Sequence, residues 1–164
     1  KAQPSTLHCQ NKSRENKMQN ERIKILLVED SLADARLLVE AFKDENINAD
    51  ITVVRDGEEA TEYLEQAQKD ANTSCPDLIL LDLNMPRKDG REFLCEIKNK
   101  PELRSIPVVV LSTSRAEDDI SKSYALQASC FVSKPIDLAD FGAVVRSFSS
   151  FWISSVIYPP KQCQ

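Results

Sequence analysis

Four short apolar runs, each ending in a polar or charged residue, constrain this chain more than any other feature. Ile25-Leu26-Leu27-Val28 leads into Glu29-Asp30, Leu78-Ile79-Leu80-Leu81 into Asp82, Val108-Val109-Val110-Leu111 into Ser112, and Phe131-Val132-Ser133 into Lys134-Pro135. Unbroken Val, Ile and Leu runs of this length suit strands buried on both faces, as in parallel sheets covered by helices. The carboxyl ends of such strands share one edge, where open α/β sheets hold their ligands. Three acids, a hydroxyl and an amine are therefore expected to meet in one pocket suited to phosphate.

From Ile23 onward, strand-length runs alternate with stretches of helical period, giving five βα units around a parallel sheet. Strands are expected near residues 23–29, 50–55, 77–82, 106–111 and 129–133. The second, with Ile51-Thr52-Val53-Val54, is the least apolar and is the candidate edge. A first helix starts near Ser31, where Ser31 and Asp34 form a capping box, and Leu32, Ala35, Leu38, Val39 and Phe42 should face the sheet. A second runs from about Gly57 to Lys69 with Ala60, Leu64 and Ala67 inward, and a third carries Phe93, Leu94 and Ile97 before Pro101 stops it. The fourth, about Ala116 to Gln127, has little beyond Ile120 and Tyr124 to bury and should be the least firmly packed. The fifth, about Leu138 to Ile157, carries a wide stripe of Leu138, Phe141, Val144, Val145, Phe148, Phe151 and Trp152.

A chain of 164 residues suffices for one domain with a real core and is short for two. No apolar stretch approaches the roughly 18 residues that span a bilayer, so no membrane association is expected. The polar residues 1–20 lack the apolar core of an export signal; they are expected to be a disordered tail, with residence in the cytoplasm. That tail holds four bases and one acid, leaving 17 bases against 25 acids in residues 21–164, a balance that disfavours nucleic acid as a partner. Cys9, Cys75, Cys95, Cys130 and Cys163 form an odd set without CxxC spacing, so reduced thiols are expected rather than a zinc site or disulfide framework. His8 is the only histidine and lies in the tail, which excludes chemistry that needs a core imidazole, including a histidine-kinase phosphoacceptor.

Glu29, Asp30 and Asp82 at neighbouring strand ends concentrate negative charge that a hard divalent cation would relieve, and Mg²⁺ is the expected ion. Lys134 places an ammonium where it can balance carboxylate and phosphoryl charge. Ser112 offers a hydroxyl to a phosphoryl oxygen, although a serine at a strand end is more often a turn or helix-start residue. The specificity lies in the joint occurrence, in order, each at a strand's carboxyl end.

On these residues the chain resembles the receiver domain of bacterial two-component response regulators. The resemblance rests on Leu26 to Asp30, on Asp77 to Pro86 followed by Asp89-Gly90, on Pro107 to Ser112 and on Lys134-Pro135, and it covers about residues 22–158. It implies an α/β, flavodoxin-like doubly wound five-stranded parallel sheet of order 2-1-3-4-5 with helices on both faces. The receiver domain is taken as residues 21–158 and residues 159–164 as a C-terminal tail. Leu83 to Gly90, Leu111 to Ser114 with Glu117 to Ile120, and Phe151-Trp152 to Pro159-Pro160 are similar to the stand-alone regulators of cyanobacterial phytochromes.

The resemblance further implies that Asp82 is the nucleophile, taking a phosphoryl group from the phosphohistidine of a phytochrome-like sensor histidine kinase. It makes Glu29, Asp30, Asp82 and the main-chain carbonyl of Asn84 the Mg²⁺ site. Lys134 and Ser112 assist, Ser112 and Phe131 form the switch, and Asn84 and Ser114 match positions that tune hydrolysis. On this reading the chain is a phosphoacceptor signalling protein and not an enzyme acting on other molecules.

Output is expected through protein contacts, with no effector domain, and through a homodimer formed by the last helix and its neighbouring strand. A haloacid-dehalogenase-like phosphatase would carry an acid two residues after the nucleophile, where this chain has Asn84. A flavodoxin-like cofactor binder needs a phosphate loop that Glu29-Asp30 would repel. The remaining alternative is a receiver-like binding module that works without phosphorylation.

Overall fold

The structure is a computed structural model that describes residues 22–70, 72–135 and 138–160. The polar tail, His8, Cys9 and Cys163 lie outside the described residues. Five strands, β1 (Ile23–Val28), β2 (Ala49–Val54), β3 (Leu78–Leu81), β4 (Val108–Ser112) and β5 (Cys130–Ser133), alternate with five helices. The helices are α1 (Leu32–Asp44), α2 (Gly57–Lys69), α3 (Gly90–Asn99), α4 (Glu117–Ala125) and α5 (Leu138–Phe148). All strand pairs are parallel and the order is β2-β1-β3-β4-β5, so the least apolar strand does lie at an edge.

The register brings the strand ends level. Val28 lies beside Val54 on one side and Leu81 on the other, and Leu81 beside Val110. One rung further, Glu29 N–H donates to the Val54 carbonyl at 2.9 Å, Asp82 N–H to Val28 at 3.0 Å and Lys134 N–H to Ser112 at 2.8 Å. The main chain thus carries residues 29, 82 and 134 to one edge before any side chain contributes.

Alternation along the buried strands divides the core. Leu26, Val28, Ile79, Leu81, Val108 and Val110 pack with Ala60 and Leu64 of α2 and Phe93, Leu94 and Ile97 of α3. Ile25, Leu27, Leu78, Leu80, Val109 and Leu111 face Ala35, Leu38 and Phe42 of α1 and Phe141 and Val145 of α5. Phe42 meets Phe148 edge-on, with ring centroids 5.7 Å apart. Among the described residues no helix is long and apolar enough to cross a membrane.

Several expectations need correction. The last helix is α-helical only to Phe148 and continues as one π-helical turn, Ser149–Ile153. Ser154 N–H bonds Ser149 O and Val156 N–H bonds Phe151 O, both five residues back, while the hydroxyls of Ser150, Ser154 and Ser155 also take main-chain carbonyls. Serines that compete for carbonyls in this way loosen a regular helix. In α1 the first-turn Leu32 is exposed and Val39 only half-buried, so the inward stripe is narrower than its periodicity. In α4 Tyr124 is exposed and Ser123 is the one buried residue, which agrees with thin packing but not with Tyr124 as an anchor. Cys95 and Cys130 are free thiols as expected, whereas Cys75 is disulfide-bonded.

Gly90 is where α3 leaves the sheet edge. Its N–H donates to Leu83 O at 2.9 Å, and a Cβ there would stand 2.2 Å from the Asp82 carbonyl oxygen and 2.7 Å from Leu83 Cα. Because those atoms are backbone of the adjoining strand exit, Gly90→Ala should lower unfolding free energy by about 3 kcal/mol, the upper part of the overpacking range. Gly142→Ala in α5, whose Cβ would come no closer than 3.4 Å to a flexible Arg146 guanidinium, should be neutral or mildly stabilising. Urea unfolding of the two variants and the parent checks both.

Candidate functional site

The level strand ends place an ammonium among carboxylates. Lys134 Nζ lies 2.5 Å from Glu29 Oε2, 2.7 Å from Asp82 Oδ2 and 3.2 Å from Asp34 Oδ2. Glu29, Asp82 and Lys134 are buried, while Asp30 is exposed at the mouth. One carboxylate oxygen from each of Glu29, Asp30 and Asp82 fits within a 4.8 Å cluster. An all-oxygen donor set of that size suits a hard divalent cation. Four carboxylates against one ammonium also leave an excess of negative charge that a cation would offset.

Titration behaviour follows from burial. Desolvation pushes the Glu29 carboxyl from 4.5 up to about 7, although Lys134 and the Ser31 N–H pull it down. For Lys134, burial acts to lower the ammonium's pKa, but bonds from Asp82 and Glu29 outweigh it and raise it above its ordinary value.

The Asn84 loop is held from two directions. Asn84 N–H donates to Asp82 Oδ1 at 3.3 Å, which orients the carboxylate from its own strand exit. Further along, Arg87 adopts a left-handed φ of 63° and its guanidinium bonds Asp56, a fully buried carboxylate that also caps α2 through Glu58 N–H and Glu59 N–H. Gly57 N–H donates to Lys88 O at 3.1 Å, and the Lys88 ammonium bonds Thr61 and Glu96. The loop after β3 is thereby pinned to the start of α2.

Ser112 and Phe131 stand outside the ion cluster. Ser112 is fully buried at the end of β4, where its hydroxyl accepts from Ser114 N–H at 3.3 Å. Ser114 in turn donates to Asp119 Oδ2 at 2.6 Å, and Arg91 reaches Asp119 Oδ1 at 2.6 Å. These two bonds, Ser114 first, hold the Asp119 carboxyl below its usual range. Phe131 is half-buried on β5 against the α2–α3 side of the core, and its N–H donates to the Tyr124 hydroxyl at 3.3 Å. Nothing in the sequence places Asp34, Asp56 or Arg87 at the site. A helix-start signal marks Asp34 and Asp56, but their partners lie 100 and 31 residues away and no local pattern reports them.

Comparison with known proteins shows similarity to one family over most of the chain. The family model of the response regulator receiver domain matches residues 25–146. The response regulator Rcp1 of Synechocystis is 48% identical over 135 residues, covering 82% of this chain and 92% of that protein. The crystal structure of a phosphorylated cyanobacterial phytochrome response regulator, RcpA, superposes with a TM-score of 0.79 at 49% identity, covering 85% of this chain and 100% of that one. The Mn²⁺-bound form of Rcp1 gives a TM-score of 0.77 at 47% identity, covering 84% and 99%.

The Glu29 shift sets a pH signature for the metal-free protein. Between pH 4.5 and about 7 the folded state keeps a proton on Glu29 that the unfolded chain has released, so this group's contribution to stability is full below 4.5, falls as pH rises and levels off above 7. Denaturant unfolding in EDTA should show the parent losing stability relative to Glu29→Gln across that window and running parallel to it above. A constant difference from pH 4.5 to 8 would refute it.

Proposed function

The chain belongs to the response regulator receiver family, and we propose that it accepts a phosphoryl group on Asp82 from a sensor histidine kinase of the phytochrome kind, signalling by protein contact. The observation that carries this reading is the buried Asp82 carboxylate, bonded to Lys134 and clustered with Glu29 and Asp30 at the sheet's carboxyl edge. The phytochrome assignment is supported by the relatives named above.

An Asp82 oxygen attacks the phosphorus of a phosphohistidine. The O–P bond forms as the N–P bond breaks, and the departing imidazole takes up a proton. Asp82 is then an acyl phosphate, which water cleaves to restore the carboxylate. Asn84 N–H orients the attacking carboxylate, and Lys134 donates to a phosphoryl oxygen as negative charge spreads over the group. Glu29, Asp30, Asp82 and the Asn84 carbonyl would hold a divalent cation, taken here as Mg²⁺, that neutralises phosphoryl charge. Ser112 exchanges its bond with Ser114 N–H for one to the phosphoryl group, and Phe131 turns inward with it. Residues 21–158 form the functional unit, in the cytoplasm and without nucleic acid.

Output runs through a second copy of the chain and a downstream protein. An apolar groove of about 410 Å³ lies between α5 and the β4–β5 side of the sheet, lined by Leu111, Val132, Val144, Phe148, Phe151 and Trp152 among others. Phe151 is 57% exposed beside it. Burying such a surface is the usual basis of a protein contact.

Intact mass after incubation with acetyl phosphate and Mg²⁺ tests the chemistry. The parent should gain one phosphoryl group, and Asp82→Asn or a sample in EDTA should gain none. A folded parent that gains nothing would instead indicate a binding module that works without phosphorylation. Sedimentation at micromolar concentration, with and without phosphorylation, should give a dimer that Phe151→Glu weakens at least tenfold; a monomeric parent in both states would overturn the dimer.

A further inference from the structure

We propose that Asp34 is a positioning residue that acts through Lys134, holding its ammonium back from the phosphoryl group and so limiting how fast Asp82 is phosphorylated. The inference rests on the phosphoacceptor reading above. By sequence Asp34 belongs to the α1 start, where a capping box would return its carboxylate to Ser31 N–H. That N–H is taken instead by Glu29 Oε1 at 3.1 Å, while Ser31 Oγ accepts from Asp34 N–H at 3.2 Å. The Asp34 carboxylate is released from capping and reaches Lys134 Nζ at 3.2 Å.

An ammonium has three N–H donors, and three carboxylates surround this one. Asp82 and Asp34 each accept one of them and Glu29 is paired with the same ammonium, so a phosphoryl oxygen arriving at Asp82 must compete with these carboxylates for Lys134. Glu29 and Asp82 are buried, closer, and belong to the cation cluster, which excludes Asp34. Asp34 has the longest contact, and its side chain is 35% exposed, so water can take over its hydrogen bonds once it lets go. It is the partner that yields. Its negative charge also stands within a Debye length of any anionic phosphoryl donor entering the pocket, where repulsion is only partly screened.

The test follows phosphoryl incorporation by intact mass, at fixed Mg²⁺, with acetyl phosphate as donor, at low and high salt. Asp34→Asn should raise the rate constant about five- to tenfold, the effect of removing one partly solvated charge. Asp34→Glu should return it to the parent value, and Asp34→Ala should move in the same direction as Asn. Added salt should speed the parent more than Asp34→Asn, because the parent has more like-charge repulsion to screen. A purely structural role at the helix start would alter thermal unfolding, measured on all variants, without the salt difference or the rescue by Glu. If the parent is phosphorylated while Asp34→Asn is equal or slower, or if Asp34→Glu is as fast as Asn, this inference alone falls. If the parent takes no phosphoryl group, both readings fall together.

Discussion

The Lys134 ammonium ties the carboxyl edge of the fold together. It joins the end of β5 to the end of β1 through Glu29, to the end of β3 through Asp82 and to the first turn of α1 through Asp34. Two of those acids are buried, and removing one partner of a buried ion pair typically costs about 3–5 kcal/mol because the other charge is left unpaired. A hydrophobic substitute could pack as well, but it would leave the buried Glu29 and Asp82 carboxylates without a cationic partner. Burial still leaves Glu29 with a raised pKa, because the Lys134 ammonium does not fully offset the desolvation of that carboxyl.

Around that cluster the fold uses main-chain contacts to hold the carboxylates and side-chain contacts to hold the loops. Asp82 is fixed by its strand register and by Asn84 N–H, whereas the loop that follows depends on Arg87 finding Asp56 across the molecule. On the other side, the Ser112–Ser114–Asp119–Arg91 chain joins the end of β4 to the starts of α4 and α3. The α4 segment it anchors buries only Ser123. A change in the hydroxyl bond of Ser112 would thus act on the element with the least apolar contact to oppose it.

Much of this was legible in the chain. The unbroken apolar runs of β1, β3 and β4 identified parallel strands, and the residue after each run fell at the shared edge, because burial on both faces leaves few other arrangements. Glu29, Asp82 and Lys134 could be listed as neighbours for that reason. Asp34 could not: its spacing from Ser31 fits a capping box, and only the competing Glu29 bond redirects it. The α5 stripe illustrates the opposite error, since its apolar spacing continues past Phe148 while the serine hydroxyls draw the backbone into a π-turn.

The sequence by itself determined the element order, the two-sided burial of the central strands and the set of chemical groups at their ends, since these follow from local periodicity and chain direction. Tertiary structure decided which carboxylates share Lys134, that Asp56 and Arg87 pin the loop after β3, and how far the last helix stays regular. Those outcomes depend on distances between residues up to 100 positions apart and on competition for a limited number of N–H donors. No local pattern encodes that competition; it is settled only when the strands have set every donor and acceptor in place.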